Sequence, residues 1–220
     1  MPSFQEQIHH VEAWRALPGL ERLPFGPSRQ GRVALTFDDG PDPDATEAVL
    51  DELDGLGARA TFFLVGEQLV DHGEIGGELV RRGHRIGLHC FRHQAMGELG
   101  KEETREDLLL ALDAIESATG ERPRLFRPTY GWLGEESYAA ARELGLEIVY
   151  WSAWGMDWEP LPPERIVDLV LRDLRSGTIV LLHDSPRYAP RTSAVSTVRA
   201  LPAIVQACAE RGLEPVVLGE

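Results

Sequence analysis

From residue 32 onward, short apolar runs alternate with longer stretches of helical periodicity, and no other feature limits the fold so tightly. Segments 33–37 (VALTF), 61–65 (TFFLV), 85–89 (RIGLH), 125–127, 147–151, 178–182 (TIVLL) and 215–218 read as strands. Segments 44–56, 68–82, 104–118, 135–144, 163–174 and 195–211 read as helices. The clearest is 104–118, where Leu108, Leu109, Leu112 and Ile115 form one stripe and Gly120 supplies a stop. Pro202 is a candidate kink in the last helix. Seven strands, each but the last followed by a helix, imply a parallel sheet with right-handed crossovers, either closed into a barrel or open and doubly wound. The first strand leads into no G-x-G-x-x-G, so a dinucleotide-binding open sheet loses its main support.

The ionisable residues gather at one end of these strands. Asp38 and Asp39 follow the first, His89 and His93 close the third, and Arg127 ends the fourth. Asp157 lies just past the fifth, and His183-Asp184 closes the sixth. In a parallel barrel the C-terminal strand ends share one face, where sites of this architecture are built. His89-x-x-x-His93 is a metal-ligand spacing, since one helical turn sets both imidazoles on the same side. Such a pair also arises by chance on a solvated helix face. A carboxylate from Asp38-Asp39 completes a two-His, one-carboxylate set. Aspartates before Gly40-Pro41 have a bland reading too, as a turn and helix cap, a task that Asp42 and Asp44 are better placed to perform. His183 could be a core histidine, and Arg127 with Asp157 an ordinary buried ion pair.

At 220 residues the chain fits one domain. Lys+Arg 22 against Asp+Glu 36 gives a net charge of −14, which repels phosphate backbones and anionic lipid and argues against a nucleic-acid or membrane-surface protein. A neutral glycan is compatible with it. Two cysteines, Cys90 and Cys208, are too few for a disulfide scaffold. Residues 1–30 hold no apolar run long enough for a signal-peptide core and read as an extension packed on or flanking a domain at 31–220. A cytoplasmic location follows as the default.

Five ordered motifs resemble those of the NodB-homology polysaccharide deacetylases, a carbohydrate esterase family. They are Thr36-Phe37-Asp38-Asp39-Gly40, His89-Cys90-Phe91-Arg92-His93, Arg127-Pro128-Thr129-Tyr130-Gly131, Trp154-Gly155-Met156-Asp157-Trp158 and Leu181-Leu182-His183. The resemblance implies a distorted (β/α)7, TIM-like barrel of parallel strands and a hydrolase that removes N-acetyl or O-acetyl groups from a carbohydrate. It also implies one divalent metal ion held by Asp39, His89 and His93, with zinc the first choice and cobalt, nickel, iron or manganese as alternatives. By the same resemblance Asp38 is the general base, oriented by Arg127, and His183 the general acid, paired with Asp157. Tyr130 supplies a backbone N–H to the oxyanion, and Trp158 and Leu182 line the groove for the acetyl methyl. The partner implied is an acetylated glycan or sugar conjugate.

Two positions depart from the family pattern. Cys90 replaces the usual Ser/Thr, so a weaker hydrogen-bonding group and a site open to oxidation are expected. Trp154 stands where Asp often begins the fourth motif, and an altered substrate groove is expected there. Trp132, Trp151, Trp154 and Trp158 are candidates for stacking on sugar rings, or for the core. Rival readings are a hydrolase of small non-peptide amides on this scaffold and a catalytically silent glycan-binding relative.

Overall fold

Strand β1 (Arg32–Asp38) buries six of its seven residues, as a strand covered on both faces must. That covering explains why it reads as a continuous apolar run. The computed structural model describes residues 31–219. After β1 come α1 (Ala45–Gly55), β2 (Thr61–Val65), α2 (Gly66–Arg81), β3 (Arg85–Cys90) and α3 (Lys101–Thr119). Then follow β4 (Leu125–Phe126), α4 (Glu135–Glu143), β5 (Glu147–Ile148), β6 (Ala153–Trp154), α5 (Pro163–Asp173), β7 (Ile179–His183), α6 (Val195–Glu210) and β8 (Glu214–Val216).

All ladders are parallel, in the order β5-β4-β3-β2-β1-β7-β6, with β8 also on β1. Ala34 pairs with Ile179 of β7 and with Val216 of β8, so these two strands lie on opposite edges of β1. β8 therefore takes the lower half of the edge whose upper half, Thr36 to Asp38, pairs with β2. The outermost strands, β5 and β6, are joined by residues 149–152 alone. Such a link spans at most roughly 18 Å, so the sheet has to curl until its edges approach. The result is the distorted parallel barrel expected.

Of the predicted strand at 147–151 only Glu147–Ile148 is strand, and an unpredicted second one, β6, follows at Ala153–Trp154 with no helix between them. The cause is Arg127: its Nε donates to the Val149 carbonyl (3.2 Å) and its Nη2 to the Tyr150 carbonyl (3.1 Å). Those carbonyls bind a guanidinium rather than a neighbouring strand, and the seam of the barrel lies there. Pro202 leaves α6 unbroken, on its exposed side. Asp42 caps α1, accepting from the Asp44 and Ala45 amides, while Asp44 makes no side-chain cap.

The core fills both faces of the sheet, with Phe37 and Phe62 stacked at 5.0 Å across adjacent strands. Burying each such side chain stabilises the fold by roughly 1.5–3 kcal/mol. Among the described residues no helix is long and apolar enough to cross a membrane. The extension expected at 1–30 lies outside the described residues.

Candidate active site

At the C-terminal ends of β1, β3, β4, β6 and β7 the chain opens one pocket, lined by Asp38, Asp39, His89, His93, Tyr130, Trp158 and His183 among others. Asp39 takes φ = +80°, and Tyr130 φ = +58°, both left-handed conformations that cost a non-glycine residue about 1–3 kcal/mol. These two residues lie in the pocket, while a third, Met156 at φ = +51°, precedes Asp157 outside its lining.

One side of the pocket carries three convergent donors. Asp39 Oδ1 lies 3.1 Å from His93 Nε2 and 3.5 Å from His89 Nε2. Two ligands about 2.1 Å from a tetrahedral cation stand roughly 3.4 Å apart, so this spacing fits a zinc-like ion. The His89 Nδ1 lies 2.6 Å from the Arg127 carbonyl. A carbonyl only accepts, so Nδ1 carries the proton and Nε2 keeps its lone pair for a metal. Burial works against the charge on Asp39, but His93 and His89 outweigh it and hold the carboxyl well below the usual carboxylate range. An anionic carboxylate and two imidazoles at this spacing form a donor set suited to a divalent cation.

The geometry is not the helical turn predicted from the histidine spacing. His89 is within β3, whereas His93 sits in the irregular loop that follows. Asp107 of α3 builds that loop, accepting from the Phe91 amide (2.8 Å) and the Arg92 amide (3.0 Å). Nothing in the sequence around residues 89–93 points to Asp107. Only its polar intrusion into the buried stripe of α3 could have drawn notice.

Asp38 and Arg127 form the second unit. The guanidinium is fully buried, its Nη1 donating to Asp38 Oδ1 at 2.7 Å and to Thr36 Oγ1 at 2.8 Å. It also stands 4.1 Å above the Phe63 ring. Arg127 thus pairs with Asp38 and not, in the bland reading, with Asp157. Removing one partner of a buried pair costs about 3–5 kcal/mol, because the other charge is stranded.

The third unit is His183 with Asp157, Nδ1 to Oδ1 at 2.9 Å. Burial by itself would depress this imidazole, but the Asp157 carboxylate, aided by Asp39 and Asp38, raises its pKa to about 9. Asp157 also accepts from the His183 amide (2.9 Å) and from Thr197 Oγ1 (2.7 Å), and pairs with Arg191 at 3.3 Å. Arg191 was not anticipated. It sits in the loop between β7 and α6, donating also to the His183 and Ser185 carbonyls. No local signal separates it from Arg187, the other arginine of that loop.

Leu182 does not line the pocket: it is fully buried against Gly155, and Leu181 takes the place expected for it. Alternation along a strand explains this, since residue 181 shares a face with His183 and residue 182 does not. Trp151, Trp154 and Trp158 form an aromatic wall ending on His183, with successive ring centroids 6.2, 5.5 and 5.6 Å apart. Trp132 is not part of the lining and packs on Gly97. Cys90 is fully buried, and burial drives its thiol pKa well above the ordinary value. Without thiolate character it is protected, contrary to the expected sensitivity to oxidation.

The sequence model of the polysaccharide deacetylase family matches residues 26–149. The chain belongs to that family. A chitooligosaccharide deacetylase from Bradyrhizobium sp. (strain ANU 289) is 37% identical to this chain over 83% of the chain and 86% of the relative. A peptidoglycan-N-acetylglucosamine deacetylase from Bacillus cereus is 32% identical over 79% of the chain, which spans 64% of that relative. Among solved structures, a peptidoglycan N-acetylglucosamine deacetylase superposes with a TM-score of 0.82 at 31% identity, covering 88% of each chain. The α/β barrel of parallel strands is therefore the family fold.

Proposed function

We propose that this polysaccharide deacetylase hydrolyses N-acetyl groups on amino-sugar units of a glycan, using a divalent cation, zinc first, at Asp39, His89 and His93. The observation that carries the reading is the convergence, in one pocket, of a carboxylate pinned by a buried arginine, a three-donor metal set and a histidine backed by a carboxylate. A silent glycan-binding protein has no need of all three. Residues 31–220 form the proposed catalytic domain.

The chemistry that a bound cation supplies is Lewis acidity, toward water and toward an acyl oxygen. Asp38, kept in place by Arg127, accepts a proton from the attacking water as that water adds to the acetyl carbon. The Tyr130 amide donates to the oxygen where negative charge develops. Leu181 and Trp158 provide apolar contact for the methyl. His183 Nε2 protonates the amine as the C–N bond breaks, and acetate and a free amine remain. Asp157 keeps Nδ1 occupied so that Nε2 is the nitrogen facing the substrate.

Acetate release from N-acetylated chitooligosaccharides, peptidoglycan fragments, acetylated xylan and small amides, with and without chelator, tests the proposal. Release from an amino-sugar glycan that stops with chelator is the expected result. Release from small amides alone overturns the substrate class, and no release from any of them overturns the function.

Two further outcomes are expected. Zinc at about a hundred times its Kd should raise the unfolding midpoint by roughly 5–10 °C, and Asp39→Asn should remove that shift in a thermal scan. Asp157→Asn should move the alkaline limb of kcat/KM downward by roughly one to two pH units. The sign follows from the fact that Asp157 is the strongest influence holding the proton on His183. An unmoved limb counts against the pairing.

A further inference from the structure

The two metal-facing histidines are held in different ways. His89 has its second nitrogen on the Arg127 carbonyl. His93 Nδ1 is buried with no hydrogen-bond partner among the described residues. A ligating histidine ordinarily owes its ring orientation to a bond from that second nitrogen, so something else has to orient His93.

The loop between β7 and α6 provides it. The Tyr188 ring lies face to face with the His93 imidazole, centroids 4.1 Å apart and planes 7° from parallel. On another side Tyr130 meets His93 edge-on, at 4.9 Å and 84°. The Tyr188 hydroxyl is itself fixed at both of its functions. It donates to Glu67 Oε1 at 2.7 Å and accepts from Gln68 Nε2 at 2.6 Å, both on the first turn of α2. That turn is tied in its own right to the histidine loop, the Glu67 amide donating to the Phe91 carbonyl at 3.1 Å. Tyr188, the start of α2 and residues 91–93 thus make one junction.

We infer that Tyr188 is a positioning residue for the metal site, orienting His93 by stacking where a hydrogen bond to Nδ1 is lacking. The inference rests on the reading of Asp39, His89 and His93 as metal ligands. Stacking fixes the plane of the imidazole, and the anchored phenol prevents the stack from sliding. A ring free to rotate about its side-chain bonds would present Nε2 to the cation only part of the time.

Zinc affinity, measured by competition with a chromophoric chelator, reads this role apart from catalysis. Tyr188→Leu is expected to weaken zinc binding about tenfold or more, and Tyr188→Phe, which keeps the ring but loses its anchors, to recover part of the loss and not all of it. Affinity unchanged in Tyr188→Leu overturns the inference, as does a loss in Tyr188→Phe equal to that in Tyr188→Leu. Where Tyr188→Leu does not fold, Glu67→Ala combined with Gln68→Ala releases the phenol from its anchors; weaker zinc binding is again expected, and unchanged binding overturns the proposal. Failure of the underlying metal reading is distinguishable, because the unaltered protein would then bind zinc no better than Asp39→Asn.

Discussion

Asp38→Asn is expected to lower acetate release from an N-acetylated oligosaccharide by about a thousandfold while zinc remains bound. The amide keeps the size of the carboxylate and leaves an oxygen for Arg127 Nη1, now 2.7 Å from Oδ1, so the buried guanidinium is not left without an acceptor. Asp38→Ala would strand it, and a drop in activity could then reflect a damaged barrel seam, since the same arginine also holds the Val149 and Tyr150 carbonyls. What Asn cannot do is accept a proton from water. Asp39, the adjacent metal candidate, is untouched, so zinc affinity by chelator competition should be close to that of the unaltered protein. Turnover within tenfold of the unaltered protein would remove Asp38 from the role of base, and loss of zinc together with turnover would leave the two aspartates undivided.

The contrast between these neighbours shows what the sequence made legible. Strand runs such as 61–65 and 178–182 are apolar because both faces of a parallel sheet are covered, so their positions, and the mouth where they end, could be read directly. Asp38, Asp39, His89 and His183 lie next to those ends and are brought into one pocket by the fold alone, with Arg127 and Asp157 paired behind Asp38 and His183. Local geometry was less accessible. His89 and His93 share a spacing with helical ligand pairs, but Asp107, from the next helix, bends their segment into a loop, and that long-range contact leaves no trace in the spacing. The same holds for the seam at 149–151, where a distant arginine takes the carbonyls that a longer strand would have used. Leu182 is different, because counting by two from His183 would have selected Leu181 from the sequence itself. Tyr188 and Arg191 belong to a loop with no periodicity, and only the folded structure connects them to His93 and Asp157.

Replacing His183 by Asn separates the two halves of the reaction, because the demand for an acid depends on the leaving group. An amine expelled from an acetamide must be protonated as the C–N bond breaks, whereas the phenolate of an aryl acetate departs unaided. His183→Asn is therefore expected to lower turnover of an N-acetyl glycan by about 10²–10⁴-fold and turnover of an aryl acetate by less than about tenfold on the same scale. The pH profile gives an independent reading. With its pKa raised to about 9, His183 is cationic at neutral pH, and amide hydrolysis should be sustained until pH rises through that value and the proton is lost. The variant should retain no such alkaline limb. Aryl acetate hydrolysis by the unaltered protein should lack it as well, since that substrate does not draw on the proton. Equal losses on both substrates would mean that His183 supports binding or the pocket wall, where Trp158 packs edge-on at 5.6 Å, and not proton delivery. Asp157 and Arg191 behind the imidazole would then be structural supports of the β7 end.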